Sequence, residues 1–227
     1  MLEIIPTEIL VHIFNYLQYK HLIKLEILNK RFKNVMRTAI WNHLVLIYKI
    51  NYKTIKFMID NYKFTNFNFI CTKSHVITDE IAKLFSVRNM TKINLSYCNN
   101  ITDASVILLT GCRKLILSNC KNITDASIRY LGNCHYLDLS STKITDESVK
   151  YLTNCRILVL YECRRITDIS VKLLRNCRIL NIVGCPYITN VGVRTLNCHK
   201  LKVSINWGIT LECLKELKNS GMIVKIY

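Results

Sequence analysis

Cysteine is the residue of this chain best suited to chemistry: 227 residues carry eleven, and nine of them fall into two periodic ladders, the first with one rung missing. Cys98, Cys120, Cys163 and Cys185 form one; Cys112, Cys134, Cys155, Cys177 and Cys198 form the other. Thiols bind zinc, pair as disulfides or attack as nucleophiles. A zinc site calls for closely spaced pairs or neighbouring histidines. Here the cysteines alternate fourteen and eight apart in the regular stretches, and C-x-x-C is absent. Cys134-His135 and Cys198-His199 are adjacent, and neighbours in a strand point to opposite faces. An odd total argues against disulfides, as does the opening "MLEIIPTEILVHIFNYL", which has no basic region like that of a secretory signal. The expectation is that the cysteines hold no metal, cofactor or disulfide and form packed columns, since a thiol is small, apolar and a weak donor.

Other catalytic signatures are missing. The six histidines are scattered, and neither a metalloprotease, P-loop, nucleophile-elbow nor dinucleotide-binding motif occurs. The aspartates recur after Ile-Thr, a helix-start position, and do not form a buried acid–base pair. The chain reads as non-enzymatic. Its net charge of +17 raises the question of nucleic acid. However, residues 1–65 hold ten Lys/Arg against four Asp/Glu, and residues 66–227 hold twenty-two against eleven. The excess is spread out, without a block of like charge, in a chain rich in Ile, Lys, Asn and Tyr, whose codons favour A and T. That argues against a nucleic-acid partner. Uninterrupted apolar runs such as Leu44–Tyr48 are far shorter than a bilayer span. No membrane partner is expected, and the chain reads as an intracellular protein of cytoplasm or nucleus.

The cysteine spacing reflects a repeat. Ile-Thr-Asp begins at Ile77, Ile101, Ile123, Ile144 and Ile166, and continues as Ile188-Thr189-Asn190 and Ile209-Thr210-Leu211. From the second copy to the seventh the spacing is 22, 21, 22, 22 and 21 residues. Within a copy, apolar residues first sit two apart (Leu115/Leu117, Leu137/Leu139, Leu158/Leu160, Leu180/Ile182), which predicts a short strand with one buried face. After Ile-Thr-Asp the period lengthens, as in Ile123, Ile128 and Leu131, and predicts a helix. Thr is placed as its N-cap, with Asp in the first turn favourable to the dipole. Ser105, Ser127, Ser148 and Ser170, three residues on, reciprocate the cap weakly. Gly111, Gly132-Asn133, Asn154 and Asn176 are placed where helices end in the left-handed region. One copy, "LDLSSTKITD", puts Ser141 or Thr142 in place of Cys and lacks a residue, which tightens its turn. Trp207-Gly208, a helix with Leu211, Leu214 and Leu217, and the strand "MIVKIY" after Gly221 read as a C-terminal cap. A strand–helix unit cannot bury its apolar face alone; stacked on copies, it can.

The pattern L-x-L-x-x-C-x-x-I-T-D resembles the cysteine-containing subfamily of leucine-rich repeats over roughly residues 66–227. The first part is different. Ile9, Leu10, Ile13, Phe14 and Leu17 follow helical spacing, as do Leu22, Leu25 and Leu28, then Phe32, Val35, Met36 and Ile40. The stretch from Ile5 to Leu44 resembles an F-box. Pro6, Glu8, Ile9 and Leu10 match its Pro, Glu and paired aliphatics; Ile13, Phe14, Leu17, Leu22 and Leu25 match its later apolar positions. Ile5 replaces the usual Leu, and Asn29 with Phe32 replace the usual Cys and Trp.

The two resemblances imply an α/β architecture: a small all-α, three-helix F-box over residues 1–44 and a helical linker of one or two amphipathic helices over 45–65. A right-handed solenoid of about seven repeats would fill residues 66–227, with a concave parallel sheet and convex helices. They also imply a substrate-recognition subunit of a ubiquitin ligase of the Skp–cullin–F-box type. A Skp-type adaptor, and through it a cullin, would bind Ile5, Pro6, Glu8, Ile9, Leu10, Ile13, Phe14, Leu17, Leu22 and Leu25. A protein substrate would bind the outward residues of the sheet: Tyr136, Asp138, Ile157, Val159, Tyr161, Ile179, Asn181 and Val183. Lys92, Asn94, Lys114, Lys200 and Lys202 flank that patch, and the column Arg113, His135, Arg156, Arg178 and His199 is placed beside helix C-termini, where cations suit the dipole. The alternative is a repeat scaffold that binds partners without recruiting a ligase.

Overall fold

The computed structural model describes residues 6–14, 21, 24, 30–38, 40–47, 52–69, 77–86 and 90–227. Among them nine strands run parallel in one sheet, in the order in which they occur in the chain. Two helices, α1 (Thr7–Phe14) and α2 (Lys30–Thr38), precede β1 (Ile40–Ile47). Then come α3 (Tyr52–Asn61), β2 (Lys63–Phe69) and α4 (Asp79–Ser86). From there each strand has three residues and each helix four to six: β3 (Lys92–Asn94), α5 (Asp103–Ile107), β4 (Lys114–Ile116), α6 (Asp125–Ile128), β5 (Tyr136–Asp138), α7 (Asp146–Val149), β6 (Ile157–Val159), α8 (Asp168–Leu173), β7 (Ile179–Asn181) and α9 (Asn190–Val193). The longer β8 (Lys200–Val203), α10 (Leu211–Asn219) and β9 (Ile223–Ile226) close the stack. It is a leucine-rich-repeat solenoid, with an F-box-like segment at its start.

Where residues 45–65 read as a helical linker, the structure holds the end of β1, the single helix α3 and the start of β2. Ile40 pairs with Lys63 and Ile47 with Phe69, so the sheet begins well before residue 66. The apolar run "IWNHLVLI" suits a buried strand or a short helix equally by pattern, and the neighbouring strand decides.

Register is strict. Ile93, Leu115, Leu137, Leu158, Leu180, Leu201 and Val224 stand in one row across β3–β9, nearly all fully buried. Leu95, Leu117, Leu139, Leu160, Ile182 and Val203 form a second buried row. Burying a side chain of this size contributes about 1.5–3 kcal/mol, and the same core runs without a break into Leu10, Phe32, Val35 and Met36 of α1 and α2. Phe32, at the family's Trp position, is 4% exposed, so α2 forms around it.

The turns after β3 to β7 each carry a left-handed residue: Tyr97 (φ 63°), Asn119 (φ 60°), Ser141 (φ 54°), Glu162 (φ 54°) and Gly184 (φ 75°). The next residue closes back on the strand, as Cys120 N does on Leu117 O at 3.1 Å, which is the geometry of a turn needing positive φ at its third position. Four of the five are not glycine, and each costs about 1–2 kcal/mol. They are held because their N–H groups continue the ladder, Tyr97 to Ser118 O and Glu162 to Val183 O, both at 2.8 Å. The expected left-handed ends of the helices are not found: Gly132 has φ −58°, and Gly111, Asn133, Asn154 and Asn176 are not left-handed either. These helices end instead in short turns such as Cys134 N to Leu131 O, 3.0 Å, whereas α10 is followed by the left-handed Gly221 (φ 95°).

The first cysteine ladder packs under that turn. Cys120, Cys163 and Cys185 donate to the carbonyls of Leu95 (3.1 Å), Leu139 (3.2 Å) and Leu160 (3.0 Å) of the repeat before. Thr142 takes the vacant place and donates to Leu139 O at 2.6 Å. In the last copy Asn206 occupies it, donating to the carbonyls of Cys185 and Ile188 and accepting from the N–H groups of Gly208 and Ile209. Burial pushes Cys112, Cys120, Cys134, Cys155, Cys163, Cys177 and Cys185 from the ordinary 9.0 up to about 12. These thiols stay protonated, and a protonated thiol is a poor nucleophile and metal ligand. None of the ten described cysteines is joined in a disulfide.

The aspartates do more than complement a dipole. Asp103 accepts from Thr124 N (2.9 Å), Thr124 Oγ1 (2.6 Å) and Ser127 Oγ (2.6 Å) of the following copy. Asp146 does the same for Thr167 and Ser170, Asp79 for Thr102 and Ser105. Burial pushes the Asp79 carboxyl up, but the hydrogen bonds from Ser105 and Thr102, with Lys83 nearby, outweigh it and hold the group below its ordinary range. Each Thr Oγ1 meanwhile accepts from an N–H of its own helix, as from Ala126 at 3.3 Å. Asp125 and Asp168 bind only their Thr partners. Ser148 turns to its own Thr145 carbonyl, and Gly192 stands where a Cβ would collide with Asp168.

Candidate functional site

Two surfaces carry the expected binding residues. On α1, Leu10 is buried while Ile9 and Ile13 are 50% and 45% exposed. They lie four apart and share one outward face of the helix, beside exposed Pro6 and Glu8. Leu10 N donates to Pro6 O at 3.1 Å, so the helix starts where the proline predicts. Phe14 closes α1. Ile5, Leu17, Leu22, Leu25 and Asn29 lie outside the described residues. Of the proposed adaptor set, Leu10 belongs to the core, and Pro6, Glu8, Ile9 and Ile13 are available to a partner.

On the sheet, strand register assembles the second set. Tyr136, Ile157 and Ile179 share one outward row with Lys92, Lys114 and Lys200. Asp138, Val159 and Asn181 share the next with Asn94, Ile116, Lys202 and Lys225. Tyr161 and Val183 follow one outward position further on; Tyr161 is 41% exposed. All eight predicted residues therefore lie on one face, but not with equal freedom. Asp138 Oδ1 accepts from Ser140 N (2.9 Å) and Oγ (2.5 Å), and Asn181 Oδ1 from Val183 N (3.2 Å). Lys114 Nζ stands 4.5 Å from the centre of the Tyr136 ring, and burial, then Asp138, pushes that phenol up. What remains open is an aliphatic centre of Ile157, Val159, Ile179 and Val183 with Tyr161 at its edge.

Charge around that centre is segregated. Of the eleven acidic residues from Asp79 onward, nine lie in helices: Asp79, Glu80, Asp103, Asp125, Asp146, Glu147, Asp168, Glu212 and Glu216. Along β3–β9, the outward positions and the residues just before the strands carry five lysines (92, 114, 200, 202, 225), three arginines (113, 156, 178) and two histidines (135, 199). Asp138 is the one acid at these positions, and Glu162, in the turn after β6, hydrogen-bonds Tyr161. Arg113, His135, Arg156, Arg178 and His199 are exposed. The ion pairs among described residues, Lys56–Asp60, Lys150–Glu147 and Arg194–Glu216, include none of this column. Sequence reasoning placed the column beside helix C-termini; the signal it lacked was the location of the acids, which only the fold reveals. Among the described residues no group of three His, Cys, Asp or Glu is arranged to hold a metal ion, and no helix is long and apolar enough to cross a membrane.

Residues 2–47 match the family described as F-box-like, and residues 88–109 and 135–152 match a leucine-rich-repeat family. No curated protein matches the sequence. In structure the chain is similar to a chain of the Rad7 and Elc1 complex of yeast (16% identity, TM-score 0.60), covering 92% of itself and 66% of that chain. It is similar to a chain of the TLR13–ssRNA13 complex (18% identity, TM-score 0.59), covering 86% of itself and 31% of that chain. Internalin C2 of Listeria monocytogenes is a third likeness: 17% identity, TM-score 0.50, 85% of this chain and 79% of that one. At these identities the likeness is one of fold, and the chain spans about two thirds and less than one third of the first two structures.

Proposed function

From an F-box-like segment that leads directly into a leucine-rich-repeat sheet, we propose that the chain is a substrate receptor of a cullin-type ubiquitin ligase, working in the cytoplasm or nucleus. Pro6, Glu8, Ile9 and Ile13 dock a Skp-type adaptor, and the outward sheet residues around Val159 and Tyr161 hold a protein substrate on repeats of the cysteine-containing kind. The observation that carries this is the join. Thr38 ends α2 and Ile40 already begins β1, and the core of α1 and α2 continues into that of the repeats. An adaptor-bound first helix is thereby held rigidly against a substrate-bound sheet, which transfer of ubiquitin at a fixed position requires. The yeast structure of similar fold is that of a complex with a partner, Elc1, which supports a role as one subunit among several.

The test is co-purification of the full chain with a Skp-type adaptor. Ile9→Glu with Ile13→Glu removes the exposed pair of α1 and leaves Leu10 in place. Loss of the adaptor with an unchanged circular dichroism spectrum is expected. A parent chain that never captures the adaptor sinks the ligase role and leaves the repeat scaffold.

A further inference from the structure

The charge segregation identifies the chemistry of the partner on the sheet. We propose that this face binds an extended, acidic protein segment whose aliphatic residues sit on Ile157, Val159, Ile179 and Val183 and whose carboxylates meet Arg156, Arg178 and the flanking lysines. The inference rests on the sheet being the partner-binding face and deepens that assignment by naming the substrate class.

Composition alone does not explain the pattern. The whole chain has 32 Lys and Arg against 15 Asp and Glu, about two to one. On the sheet face and the rim before its strands the ratio is eight to one, or eight to two with Glu162 in the turn after β6, while the helices hold nine of the eleven acids from Asp79 onward. A general excess of lysine codons would enrich both sides alike. Arg156 and Arg178 are exposed at the edge where β6 and β7 begin, directly before Ile157 and Ile179 of the apolar centre. Lys114 bounds it on one side in the sheet, and Lys200 and Lys202 on the other. An apolar centre rimmed by charge of one sign fits a partner that is apolar at its middle and opposite in sign around it.

A nucleic acid is also anionic, but it fits this surface less well. Single strands are held by aromatic platforms on which successive bases stack. Here the centre is aliphatic, the Tyr136 ring is already covered by Lys114, and Tyr161 at the edge hydrogen-bonds the carboxylate of Glu162. Seven strands about 4.8 Å apart span roughly 29 Å, which an extended peptide crosses in about nine residues.

The experiment uses the full chain and three labelled probes: a peptide of about twelve residues with a Leu-Ile-Leu centre and glutamates on both sides, its lysine-for-glutamate counterpart, and an oligouridylate of similar charge. Fluorescence anisotropy is expected to show binding of the acidic peptide only, weakening as salt rises from about 0.05 to 0.3 M. Arg156→Glu with Arg178→Glu is expected to weaken it at least about tenfold. The milder Arg156→Gln with Arg178→Gln, which keeps stem length and polarity, should give a smaller loss at unchanged melting temperature. Tighter binding of oligouridylate, no preference between the two peptides, or binding indifferent to both arginine pairs overturns the proposal. Failure here leaves adaptor capture untouched. Peptide binding that survives without adaptor capture removes the ligase role alone.

Discussion

The two sides of each repeat treat their polar groups in opposite ways. On the helix side, Asp103 and Asp146 are each met by three donors from the next copy, and the thiols of Cys120, Cys163 and Cys185 reach the carbonyls of the copy before. On the sheet face, Arg113, Arg156 and Arg178 form no described ion pair, and the aliphatic row from Ile157 to Val183 is only half covered. Groups bound to neighbouring copies stabilise the stack. Groups without such partners do little for it and are free for binding. Identical periodicity on both sides conceals that division, because both recur every 21 or 22 residues.

The largest expected difference lies in the buried thiols. Their folded pKa of about 12 exceeds the ordinary 9.0. Stability from the neutral thiols is therefore fully present below pH 9. It is lost as pH climbs from 9 towards 12, because the unfolded chain releases protons that the folded chain retains. Each thiol contributes at most about 1.4 kcal/mol per pH unit, so several together should lower the melting temperature steeply between about pH 9 and 11. Calorimetry at several pH values checks this, with Cys155→Ala expected to flatten the slope. A melting temperature that stays level across the range would contradict it.

Next in size is the carboxylate ladder. Asp146→Ala strands Thr167 N–H and the hydroxyls of Thr167 and Ser170. The cost should be about 3 kcal/mol, or roughly 10 °C in melting temperature. Asp125→Ala breaks only the two bonds from Thr145 and should cost visibly less. Equal effects would mean that the serine bond adds nothing to the two threonine bonds that both aspartates accept. The smallest effect belongs to the other side: Arg178→Ala should move the melting temperature by less than about 2 °C. A drop as large as that of Asp146→Ala would show that the basic column holds the stack together and would erase the contrast between the two sides.

Much of this was legible in the residues themselves. The two-residue spacing of Leu137/Leu139 or Leu158/Leu160 and the threonine before each helix are local signals. They operate within a few residues and survive in any context, so the strands and their caps fall where the pattern puts them. The burial of both cysteine ladders follows from the same period, since matched positions of stacked copies must superpose. On α1, proline and apolar spacing placed the helix, but spacing could not say that Leu10 turns inward while Ile9 and Ile13 face out.

Tertiary structure alone decided what depends on the neighbour. "IWNHLVLI" became a strand because β2 offered it a parallel ladder, and the two ends of a linker read as helical joined the sheet on either side of α3. Tyr97, Asn119, Ser141 and Glu162 are left-handed because the adjacent copy fixes their N–H groups, not because their side chains favour it. Asp103 serves Thr124, twenty-one positions on, a distance over which no local propensity acts. The separation of acids from cations likewise arises only when the copies stack. Sequence by itself determined the unit and its period; the register of one unit against the next, a sum of contacts between residues far apart in the chain, determined which groups were consumed and which were left for a partner.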